Sequence, residues 1–282
     1  MLIRQPYAES FYRGNPEKQI NSFLRDFELP DLPSRIIGGI VPHAGWMFSG
    51  AVAAKVFRCI KEKCTPERFV LFGAVHHWGV RANSIYPRGK WITSLGELEI
   101  DEDFVKMIVK ENKEIIIEDY VAHNNEHSIE VQTPFIKYFF PDAKIVPIAV
   151  LPGENSFKIG EGIGKIIKNT GNNTVLVGTS DLTHYGDAYG FTPAGYGQKA
   201  YKWMKENDKK IINAILNMNP EEVLVEAQRN HNACGAGAVA ATVAAAKFLG
   251  VSEGRLIEYT TSFDVMPDRE FQMAVGYAGI IF

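Results

Sequence analysis

The stretch Phe69-Val70-Leu71-Phe72-Gly73-Ala74-Val75-His76-His77 places an apolar run directly before two adjacent histidines. An apolar run without alternating polar positions is typical of a strand that is buried on both faces. Such strands belong to sheets that helices cover on both sides. The stretch therefore predicts an interior strand that ends at a pair of imidazoles.

Similar strand-like runs alternate along the chain with segments of helical period. The other predicted strands are residues 35–41, 143–150, 174–178, 256–261 and 272–281. The predicted helices are residues 45–61, 101–111, 127–140, 155–169, 197–216, 220–229 and 233–249, and residues 81–96 and 186–197 are predicted loops. This alternation predicts an α/β fold with a mainly parallel or mixed central sheet and helices on both faces. We expect residues 1–282 to form a single domain.

Composition excludes several classes of partner. The 282 residues carry a net charge of −3 with no basic stripe, so we expect no nucleic acid partner. The longest apolar stretch, residues 233–246, is too short to cross a bilayer, so we expect no membrane partner. The start has no apolar signal region, and three cysteines do not suit a disulfide framework, so we expect a cytoplasmic protein. The oligomeric state cannot be read from the sequence.

Histidines follow three of the predicted strands. His43 follows residues 35–41, His76 and His77 follow the first strand, and His184 follows residues 174–178. Ligands in open α/β sheets bind beyond the carboxyl ends of the strands. A single histidine there could be structural, but together they predict a metal or catalytic centre, because neutral imidazole binds Zn, Cu, Fe and Ni.

Two further segments carry reactive side chains at predicted helix starts. Glu126 and His127 open one helix, where they form either part of the centre or a simple capping box. Cys234 opens the Ala-rich helix, where the helix dipole lowers the pKa of a thiol and favours a nucleophile or a ligand. The alternative for Cys234 is an inert buried cysteine.

The order of these motifs resembles that of the Memo family. The match includes YAESFY, PHAGW, the strand with HH, LGELEID, NEHSIEVQTPF, TSDLTHYG and ACGAGAVAA, at residues 7–12, 42–46, 69–77, 95–101, 125–135, 179–186 and 233–241. That family is similar in fold to class III extradiol ring-cleavage dioxygenases, which hold Fe(II) with two histidines and a carboxylate. The resemblance spans nearly the whole chain.

The resemblance implies roles for individual residues. By motif, His43 and His77 match the two metal-binding histidines, and Cys234 matches the cysteine at the third position. His184 matches an acid/base histidine, and Asp181 lies shortly before it. A thiolate in place of the carboxylate softens the site, so the expected cofactor is Fe(II) or Cu, with Zn also admitted.

Three functions remain open from the sequence. The first is a dioxygenase-like oxidoreductase with iron or copper on His43, His77 and Cys234, in which His184, His127, Asp181 and Glu126 serve catalysis. The second is a non-catalytic adaptor that binds a peptide in the same pocket. The third is a thiol hydrolase with Cys234 as its nucleophile. We expect the partner to be a small molecule or a peptide, and the fold alone does not imply ring cleavage.

Overall fold

The run at residues 69–75 forms most of strand β3, Arg68–Gly73, in which every residue is buried. The computed structural model describes residues 2–171 and 173–282. Its strands are β1 Ile3–Arg4, β2 Gly38–Val41, β3, β4 Ser84–Ile85, β5 Lys90–Thr93, β6 Gly96–Glu99, β7 Ile117–Glu118, β8 Lys144–Ala149, β9 Thr174–Thr179, β10 His184–Tyr185, β11 Arg255–Thr261 and β12 Ala274–Ile281.

Helices connect and cover these strands. They are α1 Pro16–Phe23, α2 Trp46–Lys63, α3 Glu102–Glu111, α4 Val121–Asn124, α5 Thr133–Phe139, α6 Glu154–Thr170, α7 Gly197–Leu216, α8 Pro220–Asn230, α9 Ala236–Phe248 and α10 Ser262–Val265. Short 3-10 turns lie at Glu9–Tyr12, Glu130–Gln132 and Asp187–Tyr189. No helix in the two described ranges is both long and apolar enough to span a membrane.

The main sheet is mixed, with a parallel centre. Its strand order is β10-β12-β2-β9-β3-β8-β4-β7, and β11 pairs with β12. Strands β2, β9, β3 and β8 are parallel, whereas β12 and β4 join them in antiparallel fashion. The predicted α/β class is therefore confirmed. The carboxyl ends of β2, β9 and β3 lie side by side at one edge, with β9 in the middle.

Helix α9 shows why one predicted helix is nearly all small residues. It packs against β2, β3 and β9 and also against α6, and residues 236–246 are all buried. A side chain at Gly160 of α6 would lie 2.1 Å from the carbonyl oxygen of Ala241. The two helices can approach this closely only because alanine and glycine line the contact.

One predicted loop is wrong in part. Residues 81–96 contain β4 and β5, and β5 lies in a second, three-stranded sheet between β1 and β6. The pairing of β5 with Ile3 and Arg4 joins residues far apart in the chain, so no local sequence pattern predicts it. The predicted helix at 127–140 is also shorter, because a 3-10 turn precedes α5 and Pro134 stands at its start.

Two glycines before and in α9 bring its start onto the sheet edge. A side chain at Gly235 would lie 2.1 Å from the carbonyl oxygen of Thr179, at the end of β9. A side chain at Gly237 would lie 2.5 Å from the carbonyl oxygen of Leu151. These backbone contacts place Cys234 next to the carboxyl end of β9.

We expect Gly235→Ala to destabilise the fold by about 1–3 kcal/mol, because the new methyl group must push backbone away from backbone. Urea unfolding measures this change. Gly79→Ala is the matched control, since apart from its chain neighbours no described residue has an atom within 4 Å of a side chain built there. Equal stability of the two variants would show that the start of α9 is not held against β9.

Candidate metal centre

The edge formed by β2, β9 and β3 carries the candidate site. His43 comes after β2, Asp181 after β9 and His76 after β3, each within three residues of the strand end. Parallel strands deliver the residues after their carboxyl ends to the same edge of a sheet. The order of the strands explains why residues far apart in sequence meet there.

Two histidines and a cysteine bring potential ligand atoms together. One nitrogen each of His43 and His76 and the sulfur of Cys234 all lie within 4.8 Å of one another. The Sγ atom of Cys234 is 3.1 Å from Nε2 of His43, and the rings of His43 and His76 are 5.1 Å apart. Two imidazoles and a thiolate suit iron, copper or zinc.

The structure places His76, and not His77, in this cluster. His77 is exposed and lines a separate cavity with Val80, Arg81 and Val121. Strand β3 ends at Gly73, so the alternation of side chains along a strand no longer decides which histidine points inward. His76 therefore replaces His77 as the candidate ligand from this loop.

Glu126 orients His76. Its carboxylate accepts hydrogen bonds from Nδ1 of His76 at 2.9 Å and from the His76 backbone N–H at 2.7 Å. Because a carboxylate only accepts, Nδ1 carries a proton, and Nε2 is the nitrogen that the neutral ring leaves free as a ligand. Burial lowers the pKa of His76, but the hydrogen bond and charge of Glu126 outweigh it and raise that pKa.

The carboxylate of Glu126 is itself held in the ionised form. Burial alone would raise its pKa, but hydrogen bonds from His76 and from the backbone N–H of Ser128 hold the pKa well below its ordinary value. His76, Glu126 and His127 form a second group with ligand atoms within 4.8 Å. Its carboxylate already accepts three hydrogen bonds, so His43, His76 and Cys234 are the better candidate ligands.

His127 lies between an aromatic ring and the cluster. It stacks on Phe11 at 4.9 Å and on His76 at 4.6 Å, measured between ring centroids. Burial and the neighbouring His76 lower the pKa of His127. Neutral imidazole at this position can accept a proton from a group in the cavity beside it.

Asp181 supports His43 from the neighbouring strand. Its Oδ1 atom accepts hydrogen bonds from the backbone N–H groups of His43 at 2.8 Å and of Ala44 at 3.2 Å. Burial raises the pKa of Asp181 to about 7. A carboxyl group with such a pKa can both donate and accept a proton near neutral pH.

His184 presents a defined face to the cavity. Its Nδ1–H donates to the carbonyl oxygen of Leu182 at 3.0 Å, so Nε2 is left as an acceptor. Its ring packs against Tyr189 at 5.0 Å, and burial lowers its pKa. This arrangement suits a general base.

Cys234 differs from the expectation of a low pKa. The residue touches solvent through a cavity lined by Pro152 and Leu224, yet protein atoms crowd its sulfur. This desolvation and the Asp181 carboxylate raise the pKa of the thiol. Helix α9 begins at Ala236, so Cys234 precedes its first turn and the dipole does not compensate.

A cavity of about 580 Å³ opens beside the cluster. His127, Asp181 and His184 line it, and aromatic side chains form much of the remaining wall. This volume lies within the range of small-molecule sites. The structure therefore brings three of the predicted catalytic residues to one cavity, while Glu126 acts behind them on His76.

The sequence alone did not identify Glu130, which holds the segment of the cavity wall around Phe11. Glu130 is fully buried and forms an ion pair of 2.8 Å with Arg4. It also accepts hydrogen bonds from the backbone of Ala8 and from the hydroxyl of Tyr12, on either side of Phe11. Ala8 and Tyr12 lie in the motif at residues 7–12, and Glu130 lies in the motif at residues 125–135. More than 110 residues separate the two motifs, so their spacing in the sequence does not indicate this contact.

Asp208 of α7 supports Thr183, the residue directly before His184 of β10. It is fully buried, and it accepts hydrogen bonds from the backbone N–H of Thr183 at 2.9 Å and from the hydroxyl of Tyr259 at 2.7 Å. Burial raises its pKa from 3.8 to about 6. Because the folded chain favours the protonated acid, this group stabilises the fold fully below its unfolded pKa of 3.8. That contribution is lost as the pH rises through about 6.

We expect Asp208→Asn, which mimics the protonated acid, to gain stability relative to the native chain as the pH rises. The gain between about pH 4 and about pH 7.5 is up to about 3 kcal/mol, from a shift of about two pH units. Urea unfolding at both pH values measures the difference. The exposed Asp142→Asn serves as the control. A difference that does not change with pH would contradict the raised pKa.

The fold and the cluster together define a class of protein. It is an α/β protein with a candidate histidine and cysteine centre at the carboxyl edge of its sheet. The family of Memo-like proteins matches residues 4–281, and this chain belongs to that family.

Relatives in archaea extend over the full chain. A MEMO1 family protein of Thermococcus onnurineus is 36% identical over 295 residues, covering 100% of this chain and 99% of the relative. One of Pyrococcus furiosus is 35% identical over 291 residues with the same coverage. A crystal structure of an uncharacterized Escherichia coli K12 protein aligns with a TM-score of 0.54 and 10% identity, covering 88% of this chain and 100% of that one. This last likeness concerns the fold alone.

Proposed function

We propose that the chain is a metal-dependent, dioxygenase-like oxidoreductase that binds iron or copper through His43, His76 and Cys234. The observation that carries the proposal is the convergence of their ligand atoms within 4.8 Å, with Nε2 of His76 left free by Glu126. Bound iron or copper would supply the one-electron and O₂ chemistry that protein side chains lack. Zinc fits the same donor atoms but would not supply it.

The chain's own residues perform the remaining tasks in this proposal. The substrate, a small molecule or the end of a peptide, occupies the cavity of about 580 Å³. His184 accepts a proton at Nε2, because its Nδ1–H is committed to Leu182. Asp181, which holds the His43 backbone, exchanges protons near neutral pH. Phe11 stacks on His127 and holds its ring at the cavity.

A thiol hydrolase is the second candidate, since Sγ of Cys234 and Nε2 of His43 are only 3.1 Å apart. Nucleophilic dyads of this kind need a third group that orients the base. Nδ1 of His43 is buried and has no hydrogen-bond partner among the residues that the structure describes. The orienting carboxylate of Glu126 is bound to His76 instead. Metal binding is therefore the better supported candidate, because Glu126 already orients His76 for it.

The test begins with protein purified without oxygen. We expect about one iron or copper ion per chain by elemental analysis, and O₂ uptake with at least one member of a panel of catechols, aminophenols and peptides. Mass-spectrometric alkylation of Cys234 with and without added metal separates the candidates. Protection by metal supports ligation, whereas rapid alkylation in both states supports the hydrolase. Metal-loaded protein without O₂ uptake would leave only a binding module.

A further inference from the structure

We propose that the cavity beside the centre selects substrates that combine an aromatic or apolar body with a positively charged group, as in an arylalkylamine. The inference deepens the proposed function and rests on it for the claim that the bound molecule is a substrate. Two features of the lining carry it: a group of aromatic side chains, and two acids at the rim with no lysine or arginine among the described lining residues.

Five aromatic side chains lie in the walls of the cavity. They are Phe11, Phe48, Tyr189, Phe263 and Tyr277, which come from five separate segments of the chain. Aromatic rings arranged in this way bind a flat apolar body by stacking and edge contacts. Their faces also attract a cation, so the same walls favour a ligand with positive charge.

The rim carries negative charge. Asp268 and Glu270 line the cavity from the exposed segment between α10 and β12, while no lysine or arginine is among the described lining residues. Neither Asp268 nor Glu270 forms an ion pair with a described residue. The Glu270 carboxylate lies against Gly197, at the start of α7, where the helix dipole stabilises negative charge.

These features together specify an orientation. A cationic group is attracted to the rim, where it stays hydrated, and the apolar body lies against the aromatic walls. The body then extends toward His127 and His184, the two imidazoles of the lining. An anionic ligand of the same shape would face two carboxylates, and Arg269, which stands between them in the chain, is not among the described residues of the lining. The lining therefore disfavours an anionic ligand.

The experiment compares three probes that share one ring: 2-phenylethylamine, phenylacetate and 2-phenylethanol. Calorimetric titration of the full chain measures their affinities at low and high salt. We expect the amine to bind at least about tenfold more tightly than phenylacetate at low salt, with the alcohol between them. Salt should reduce this preference, because the rim charges are exposed.

The variants test the rim directly. Asp268→Asn with Glu270→Gln should weaken amine binding by about 3- to 20-fold and leave the alcohol unchanged, in line with the modest strength of exposed charge pairs. Asp142→Asn with Glu253→Gln is the control, since both acids are exposed and lie outside the cavity lining. The control should bind all three probes as the native chain does.

The outcomes separate this inference from the proposed function. Repeating the titration with the native chain after treatment with a chelator measures binding in the absence of metal. An unchanged preference for the amine there supports the inference even if metal-dependent turnover is never found. The inference is overturned if phenylacetate binds as tightly as the amine, if the rim variant leaves amine affinity unchanged, or if millimolar amine does not bind.

Discussion

We expect His76→Ala to lose the metal of the proposed centre, whereas His77→Ala should keep it. The two residues are neighbours in one loop, but only His76 lies within 4.8 Å of the ligand atoms of His43 and Cys234. Loss of an outer hydrogen-bond partner of a ligand typically weakens binding by about 10–100-fold, so we expect loss of the ligand itself to cost more than about 100-fold. Elemental analysis and competition with a chelator measure the effect.

His77→Ala is the matched control, because it removes the same side chain one position away. Glu126→Gln should fall between the two variants, since it weakens the hold on Nδ1 of His76 without removing a ligand. Circular dichroism of all three variants checks that the fold is intact. Metal loss in His77→Ala with full retention in His76→Ala would show that this loop is arranged differently when metal binds.

Arg4→Met will destabilise the fold by about 3–5 kcal/mol, the largest stability change that we expect. The Arg4 guanidinium and the Glu130 carboxylate form a buried ion pair, and the side chains are each 1% exposed. Removal of one partner leaves an uncompensated charge in the interior. The same guanidinium also donates to the backbone carbonyl oxygens of His123 and Glu126.

Arg58→Met provides the comparison, because Arg58 pairs with Glu62 on the surface of α2. An exposed pair of this spacing contributes only about 0.3–0.5 kcal/mol. The double variant Arg4→Met with Glu130→Gln should regain part of the loss, since it removes both charges. Urea unfolding of the four proteins measures these differences. If Arg4→Met and Arg58→Met destabilise the fold equally, then Arg4 is not needed to compensate the buried charge of Glu130.

The interior of the sheet could be predicted because its strands are locally distinct. β3, β8 and β9 are short, apolar and bounded by polar residues, and each lies where the sequence pattern puts it. Short strands such as β4 and β5 could not be predicted, because their formation depends on distant partners. Local composition reports burial, whereas pairing is decided by the assembled fold.

The candidate site shows the same division. Chain position placed His43, Asp181 and His184 at the sheet edge, since each closely follows a strand. The choice between His76 and His77 could not be made from position, because it depends on Glu126, 50 residues further along the chain. Whether these residues bind metal or perform catalysis remains a prediction.

The close approach of Gly235 to β9 gives the three candidate ligands different kinds of support. Backbone contacts fix the position of Cys234, and Glu126 holds both the backbone N–H and the ring of His76. Asp181 holds the backbone of His43, but Nδ1 of that ring has no hydrogen-bond partner among the described residues. If the centre binds metal, ions that prefer different coordination geometries would therefore be accommodated by small rotations of the His43 ring. Selectivity among ions would then depend on how far the rings of His76 and His127, which pack edge-on against it, let that ring turn.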